Sequence, residues 1–358
     1  VAFTWAFSRR AWDDRIAGLA AWIMAFFPEA ILIGSSQMRE AFTVTFGIVA
    51  FYCFLVYQKE RKPSLLAWLI IPILLYFPFS PPFAAMLVGL LGLFAAASII
   101  TRVRFQASSW RLWLTLLVLA VLALLGLWLT LRQFTPAGMN NPLEMLTWWL
   151  RKSASLQALL SKHASGWLQK TFKMVPEWAQ LPILVGYGVL QPFLPAALVV
   201  GSQAPIWPWI TAFRSIGWTL LLILLAYSPF LAFRRHGNQH LARVISLAAW
   251  ISILIASFRG GGDMWDNPRY RVAFLGIQAS LAAWAWYEHR RINDPWLRRF
   301  GLGIVSILAW FIPWYMRRYL GFNWPVDGLF ETIAAGLISA ILVVLWDWAR
   351  QKKNQTHN

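Results

Sequence analysis

Gly260-Gly261-Gly262-Asp263-Met264-Trp265-Asp266-Asn267-Pro268-Arg269-Tyr270-Arg271 lies between two apolar runs, 241–258 and 272–287. Each run is long enough to cross a bilayer, or nearly so. The link between them carries two carboxylates and two guanidinium groups. Ionised side chains are costly at membrane depth, so a cluster there marks a site. Paired arginines suit a lipid phosphate, because the guanidinium presents a planar fork of donors to phosphate oxygens.

The rest of the chain agrees with a membrane setting. Hydrophobic residues make up 59% of the 358 positions and charged residues 13%, about half the charged share of a soluble domain. Mean hydropathy is +0.55. Many of the 24 tryptophans stand at the ends of apolar runs, where an indole has an apolar body and a wet edge. The expected fold class is all-α: a polytopic transmembrane helix bundle of about ten spans with one larger extracytoplasmic loop.

A formal net charge of +18 invites comparison with nucleic-acid binders. The basic residues, however, gather at the ends of apolar segments, which is how membrane topology is encoded. No nucleic-acid partner is expected. Cys53 is the single cysteine and lies within an apolar run, so no internal disulfide forms and the thiol reads as a small buried hydrophobe.

Ten candidate spans follow: 16–36, 41–57, 65–79, 82–100, 112–131, 206–232, 241–258, 272–287, 300–316 and 328–348. Those at 65–79 and 272–287 are short for an upright crossing. If residues 9–15 are cytoplasmic, alternation gathers Arg9, Arg10, Arg15, Lys59, Arg61, Lys62, Arg102, Arg104, Arg111, Arg234, Arg235, Arg243, Arg290, Arg291, Arg298, Arg299, Arg350, Lys352 and Lys353 on that side. The short outer loops keep Arg39, Arg259, Arg269, Arg271, Arg317 and Arg318. The expected location is the plasma membrane, multi-pass, with both termini cytoplasmic. Residues 1–7 read as the tail of an earlier helix, which suggests a chain shortened at its N-terminus.

The domain reading has three parts: N-terminal transmembrane helices over 1–131, an extracytoplasmic segment over 132–205, and C-terminal transmembrane helices over 206–358. In the middle part, Pro136, Gly138, Asn140, Asn141 and Pro142 break the chain. Leu143–Leu160 and Trp167–Met174 then mix apolar and basic residues. They read either as helices lying on the membrane surface or as a soluble cap. Residues 181–200 are apolar but interrupted by Pro182, Gly186, Gly188, Pro192 and Pro195, and read as a broken or re-entrant segment. Irregular backbone at that depth lines a cavity or is buried in protein, so Tyr187 and Gln191 are candidate borders of a lipid groove.

Only 14 acidic residues exist, and those expected outside are Glu29, Glu40, Glu144, Glu177, Asp263, Asp266, Asp327 and Glu331. Glu40, Asp263 and Asp266 are the candidate catalytic carboxylates. Arg269, Tyr270 and Arg271 are the candidate phosphate-binding group, with three glycines that let backbone amides approach an anion. Each has a structural alternative: Glu40 in a first helical turn, the aspartates in loop turns, and the arginines as headgroup anchors. His236 and His240 lie one turn apart without a third ligand, so no metal-binding residues are assigned. No cofactor is assigned, and a divalent metal stays open.

Two stretches carry a resemblance to a known family. Arg9-Arg10-Ala11-Trp12-Asp13-Asp14-Arg15, running to Phe27-Pro28 and then Met38-Arg39-Glu40-Ala41-Phe42, resembles the third and fourth helices of the polytopic glycosyltransferases of the GT-C fold, the protein mannosyltransferase and aminoarabinose transferase superfamily. Asp263 to Arg271 resembles a late outer loop of that superfamily, with a basic-aromatic-basic ending. The resemblance implies an enzyme of the cell envelope that moves a sugar from a polyprenyl-phosphate donor to an acceptor glycan, lipid or protein outside the membrane. It also implies an aspartate in a first outer loop, which would precede Val1. The chain is then either short of its first helices or a non-catalytic relative. Two other classes remain in view: a transporter or flippase of lipid-linked substrates, and a membrane assembly subunit without chemistry.

Overall fold

The computed structural model describes residues 1–36, 38–100, 110–136, 138–139, 141–164, 166–199, 205–234, 239–260 and 268–356. The described residues are almost entirely helical, and no strand occurs among them. The helices run α1 (Ala2–Ala11), α2 (Asp14–Phe26), α3 (Pro28–Ser35), α4 (Glu40–Glu60), α5 (Ser64–Tyr76), α6 (Pro81–Ile100), α7 (Trp110–Phe134), α8 (Pro142–Ala164), α9 (Gly166–Met174), α10 (Glu177–Leu190), α11 (Leu194–Ala197), α12 (Trp207–Arg234), α13 (His240–Gly260), α14 (Pro268–Val272), α15 (Leu275–Ile292), α16 (Trp296–Leu320) and α17 (Leu329–Thr356). Six of them, α4, α7, α12, α13, α16 and α17, contain stretches long and apolar enough to cross a membrane. The α2–α3 pair makes up to seven, and α5 and α6 are shorter apolar helices.

The chain forms two compact units, one of Val1–Val189 with Ala232–Trp284, the other of Leu190–Leu231 with Ala285–Asn358. In the first unit α4 is the central helix. Its 21 residues rise about 30 Å, the thickness of a bilayer's hydrocarbon core. Phe51 of α4 meets Phe7 of α1, Phe94 of α6 and Phe274 just before α15, at centroid separations of 6.3, 5.5 and 6.4 Å. Glycine permits the close approach of α15 to α4: at Gly276 a Cβ would fall 2.8 Å from Ile48. The Ser8 hydroxyl donates to Ser280 Oγ at 2.7 Å, and Trp12 stacks on Trp284 at 6.2 Å, so α1 is bound along the same helix.

The expected span 16–36 is two helices, bent by 59° at Phe27. A residue preceding proline is pushed out of the helical region, and Phe27 sits at φ −66°, ψ 124°. Pro28 then opens α3, where its missing N–H costs nothing. The expected span 272–287 starts later and ends later, as α15, because the chain turns at Ala273 and Phe274. Residues 181–200 are helical through Leu190 despite Pro182, then turn into the four-residue α11.

In the second unit α16 and α17 form an antiparallel hairpin. Trp310 Nε1 donates to Ser339 Oγ at 2.8 Å and Trp314 Nε1 donates to the Asp327 carbonyl at 2.9 Å. At the other end of the pair, Asp347 lies between Arg298 (2.6 Å) and Arg299 (3.0 Å). Gly321 closes α16 with φ +71°, a left-handed cap open to a residue without Cβ. Tyr227 of α12 donates to Asp294 Oδ2 at 2.8 Å, which holds α12 to the link between α15 and α16.

Candidate functional site

Two polar clusters mark the opposite ends of α4. At its C-terminal end Lys59 Nζ donates to the Arg10 carbonyl at 2.6 Å, and Arg10 pairs with Glu60 at 2.6 Å. Lys62 lies 3.1 Å from the same carboxylate. The ends of α1 and α4 therefore meet in a basic rim, with Arg9 and Asp14 paired beside it at 2.7 Å. The other cluster surrounds Glu40, a helix length away.

Glu40 opens α4 and is buried. Its Oε1 lies 3.8 Å from Nε of Arg39 and 3.8 Å from Nε of Arg269. The second contact joins residues from distant parts of the sequence within one unit. It exists because α14 packs against both α3 and α4. Two guanidinium groups thus approach one carboxylate, and guanidinium donors also suit the oxygens of an anionic ligand.

The neighbours fix how these groups stand. Arg39 Nη1 donates to the Phe79 carbonyl at 3.2 Å, and the Phe79 ring stacks on Phe42 at 5.3 Å. Arg269 Nη2 donates to the Tyr270 hydroxyl at 3.3 Å and lies over the Tyr270 ring at 5.1 Å. Tyr270 in turn stacks nearly parallel on Phe83 of α6, 6.1 Å away. The Thr43 hydroxyl donates to the Glu40 carbonyl at 2.9 Å within the first turn of α4.

Arg271 faces elsewhere. It is 4% exposed, and its Nη1 donates to the carbonyls of Gly188 and Val189 at 3.3 and 3.4 Å. Those carbonyls lie in the last turn of α10, where helical C=O groups lack intrahelical partners and a cation meets the negative end of the dipole. Gln278 Nε2 donates to the Arg271 carbonyl at 3.1 Å and fixes its backbone. Tyr187, the expected groove residue, is buried with Leu184 against Phe172 and Ile183. Gln191 is buried in the second unit. Asp263 and Asp266 lie outside the described residues.

The cluster thus brings together Glu40, Arg269 and Tyr270 from the expected set, with Arg271 on the same short helix turned toward the end of α10. It also includes residues that sequence reasoning did not assign: Arg39, Phe83 and the Phe79 carbonyl. Glu29 is another. It is 2% exposed, at the second position of α3, directly after the 59° break and on the helix that packs against α14. Its signal in the sequence is a carboxylate next to a proline within an apolar run.

Among the described residues no three His, Cys, Asp or Glu side chains gather in a way that could hold a metal. An apolar cavity of about 380 Å³ runs between α6 and α7, lined by residues that include Ala85, Gly89, Gly92, Trp113 and Leu124. Ala85 and Phe83 are two residues apart on α6, which turns them to opposite sides of the helix. The cavity therefore opens away from Tyr270 and the charged cluster. The chain matches no protein-family model, no curated protein and no solved structure.

Proposed function

We propose that this chain is a multi-pass membrane glycosyltransferase of the GT-C type, which moves a sugar from a polyprenyl-phosphate donor to an acceptor hydroxyl outside the membrane. In this reading the bundle has about ten spans, α5, α6, the α2–α3 pair and α15 counting with the longer helices. Residues 132–205 lie on the extracytoplasmic side, and both termini are cytoplasmic. The observation that carries the reading is the meeting of Glu40 with Arg39 and Arg269, at the end of α4 remote from the basic rim. An acid-base group and a phosphate-binding pair then share one boundary of the bilayer.

The chemistry assigns a role to each group. Transfer with inversion needs a carboxylate to draw the proton from the acceptor as the new glycosidic bond forms, and Glu40 takes that part. The bond from the sugar to the phosphate breaks, and the departing phosphate gathers negative charge. Arg269 and Arg39 stabilise it, with the Tyr270 hydroxyl as a further donor. Arg271, held on the α10 carbonyls, positions α14 and does not bind phosphate itself. Asp263 and Asp266 directly precede α14 in sequence and belong to the same outer link.

The experiment uses the full chain purified in detergent and titrated with polyprenyl phosphate, with bound lipid counted by native mass spectrometry. Arg269→Gln is expected to weaken binding about 10- to 100-fold, the worth of a hydrogen bond to a charged group. Glu40→Gln is expected to leave binding within a few-fold and to abolish turnover of lipid-linked sugar. Unchanged polyprenyl-phosphate binding in Arg269→Gln would overturn the reading. A second reading, a transporter of lipid-linked substrates, is favoured by the broken α2–α3 span, since interrupted helices border substrate sites in transporters. Movement of the donor across proteoliposomes without sugar transfer would select it.

A further inference from the structure

We propose that the second unit carries a binding site for an anionic phospholipid, formed where the C-terminal ends of α15 and α17 meet the start of α16. The proposal is independent of the glycosyltransferase reading. The three helix ends are joined there. Three residues link α15 to α16, and Asp347 of α17 lies between Arg298 and Arg299 of α16, with Arg299 also donating to Gln351 at 2.6 Å.

Five described arginines, Arg290, Arg291, Arg298, Arg299 and Arg350, stand at this end with three carboxylates, Glu288, Asp294 and Asp347. All three carboxylates are engaged. Glu288 pairs with Arg291 at 2.7 Å, Asp347 pairs with Arg298 and Arg299, and Asp294 accepts from Tyr227 and from the Trp296 N–H. Arg290 and Arg350 have no carboxylate partner among the described residues. Both are exposed, and each lies over an indole one helical turn back: Arg290 over Trp286 at 4.7 Å and Arg350 over Trp346 at 5.4 Å. Stacking fixes the guanidinium through its face and leaves its in-plane N–H donors for an oxyanion.

The helix below Arg350 says which oxyanion. Ile338, Leu342, Trp346 and Arg350 follow one another at intervals of four, so they form a single stripe. The first three are 57%, 60% and 61% exposed. The stripe passes from aliphatic to indole to cation over about 18 Å. That is the order in which a phospholipid presents acyl chain, glycerol backbone and phosphate. Among the described residues no carboxylate at this end is left to attract a choline or ammonium group, so the surplus charge selects an anionic headgroup over a zwitterionic one.

The test uses the full chain in detergent, titrated with phosphatidylglycerol or phosphatidylcholine, with bound lipids counted by native mass spectrometry. Wild type is expected to retain phosphatidylglycerol in preference to phosphatidylcholine. Each arginine near an anionic headgroup is worth about fivefold in affinity, so Arg350→Gln is expected to weaken phosphatidylglycerol about fivefold and the Arg290→Gln/Arg350→Gln pair about 25-fold. Phosphatidylcholine binding is expected to stay within twofold. Both positions are exposed, so an unchanged unfolding midpoint should accompany the loss. Equal phosphatidylglycerol affinity in wild type and the double variant, or a parallel loss of phosphatidylcholine, would overturn the assignment.

Discussion

Gly276→Ala tests how α15 is seated on α4. A methyl group there would stand 2.8 Å from Cδ1 and Cγ1 of Ile48 and 2.9 Å from its Cβ, where ordinary contact begins at 3.4 Å. Rotating the Ile48 side chain does not relieve the clash, because Cβ is fixed to the α4 backbone, and Ile48 is buried. The helices must separate by roughly 0.5 Å, and overpacking of this kind costs about 1–3 kcal/mol. Replacing glycine in a helix returns at most about 1 kcal/mol, so the net loss is about 1–2 kcal/mol. Ile48→Gly removes the obstacle, Cβ included, and by itself costs about 3–6 kcal/mol through the lost side chain and the helix propensity of glycine. In that background Gly276→Ala is expected to be neutral or stabilising, giving a coupling of about 1–3 kcal/mol between the sites. The assay is unfolding in mixed micelles of increasing SDS fraction for the four members of the cycle. A Gly276→Ala cost that is the same with isoleucine or glycine at position 48 would refute the packing argument.

Three further outcomes follow from buried groups. Asp347→Asn leaves Arg299, 3% exposed, with half a partner, and is expected to cost about 3–5 kcal/mol by SDS unfolding, while the apolar pair Asp347→Leu/Arg299→Met is expected to recover most of that loss. Arg271→Met removes the donor to Gly188 and Val189 and is expected to cost about 1–3 kcal/mol, with faster amide hydrogen exchange in the last turn of α10 and little change elsewhere. Cys53 is 6% exposed in the middle of α4, so the folded protein in detergent is expected to resist a maleimide that reacts fully once the chain is unfolded; rapid labelling of the folded form would contradict the central position of α4.

The all-helical class and the helices long and apolar enough to cross a membrane were legible because hydropathy is a local property of the chain. The positions of Arg269 and Glu40 were legible too, since an ion between apolar runs stands out at any distance from its partner. Their meeting was not legible, because it depends on α14 packing against α3 and α4, and no local pattern encodes that contact. The break at Phe27 left a signal in Phe27-Pro28, yet an averaging window over 16–36 stays apolar throughout and conceals it. Arg271 was read together with Arg269 because the two are neighbours in a motif. On a short helix, residues two apart point in different directions, and one arginine turns to Glu40 while the other turns to the α10 carbonyls. The division into two units follows long-range pairing, and contiguous segments such as 1–131 or 206–358 cannot express it.

The first unit is completed by residues 232–284, which return to residues 1–189. During synthesis Glu40 therefore waits, with only Arg39 beside it, until the ribosome has passed Arg269. At usual elongation rates that interval is about 10–45 s. Until then the carboxylate lacks its second guanidinium, so the packing of α14 on α3 and α4 completes this pairing only late in synthesis.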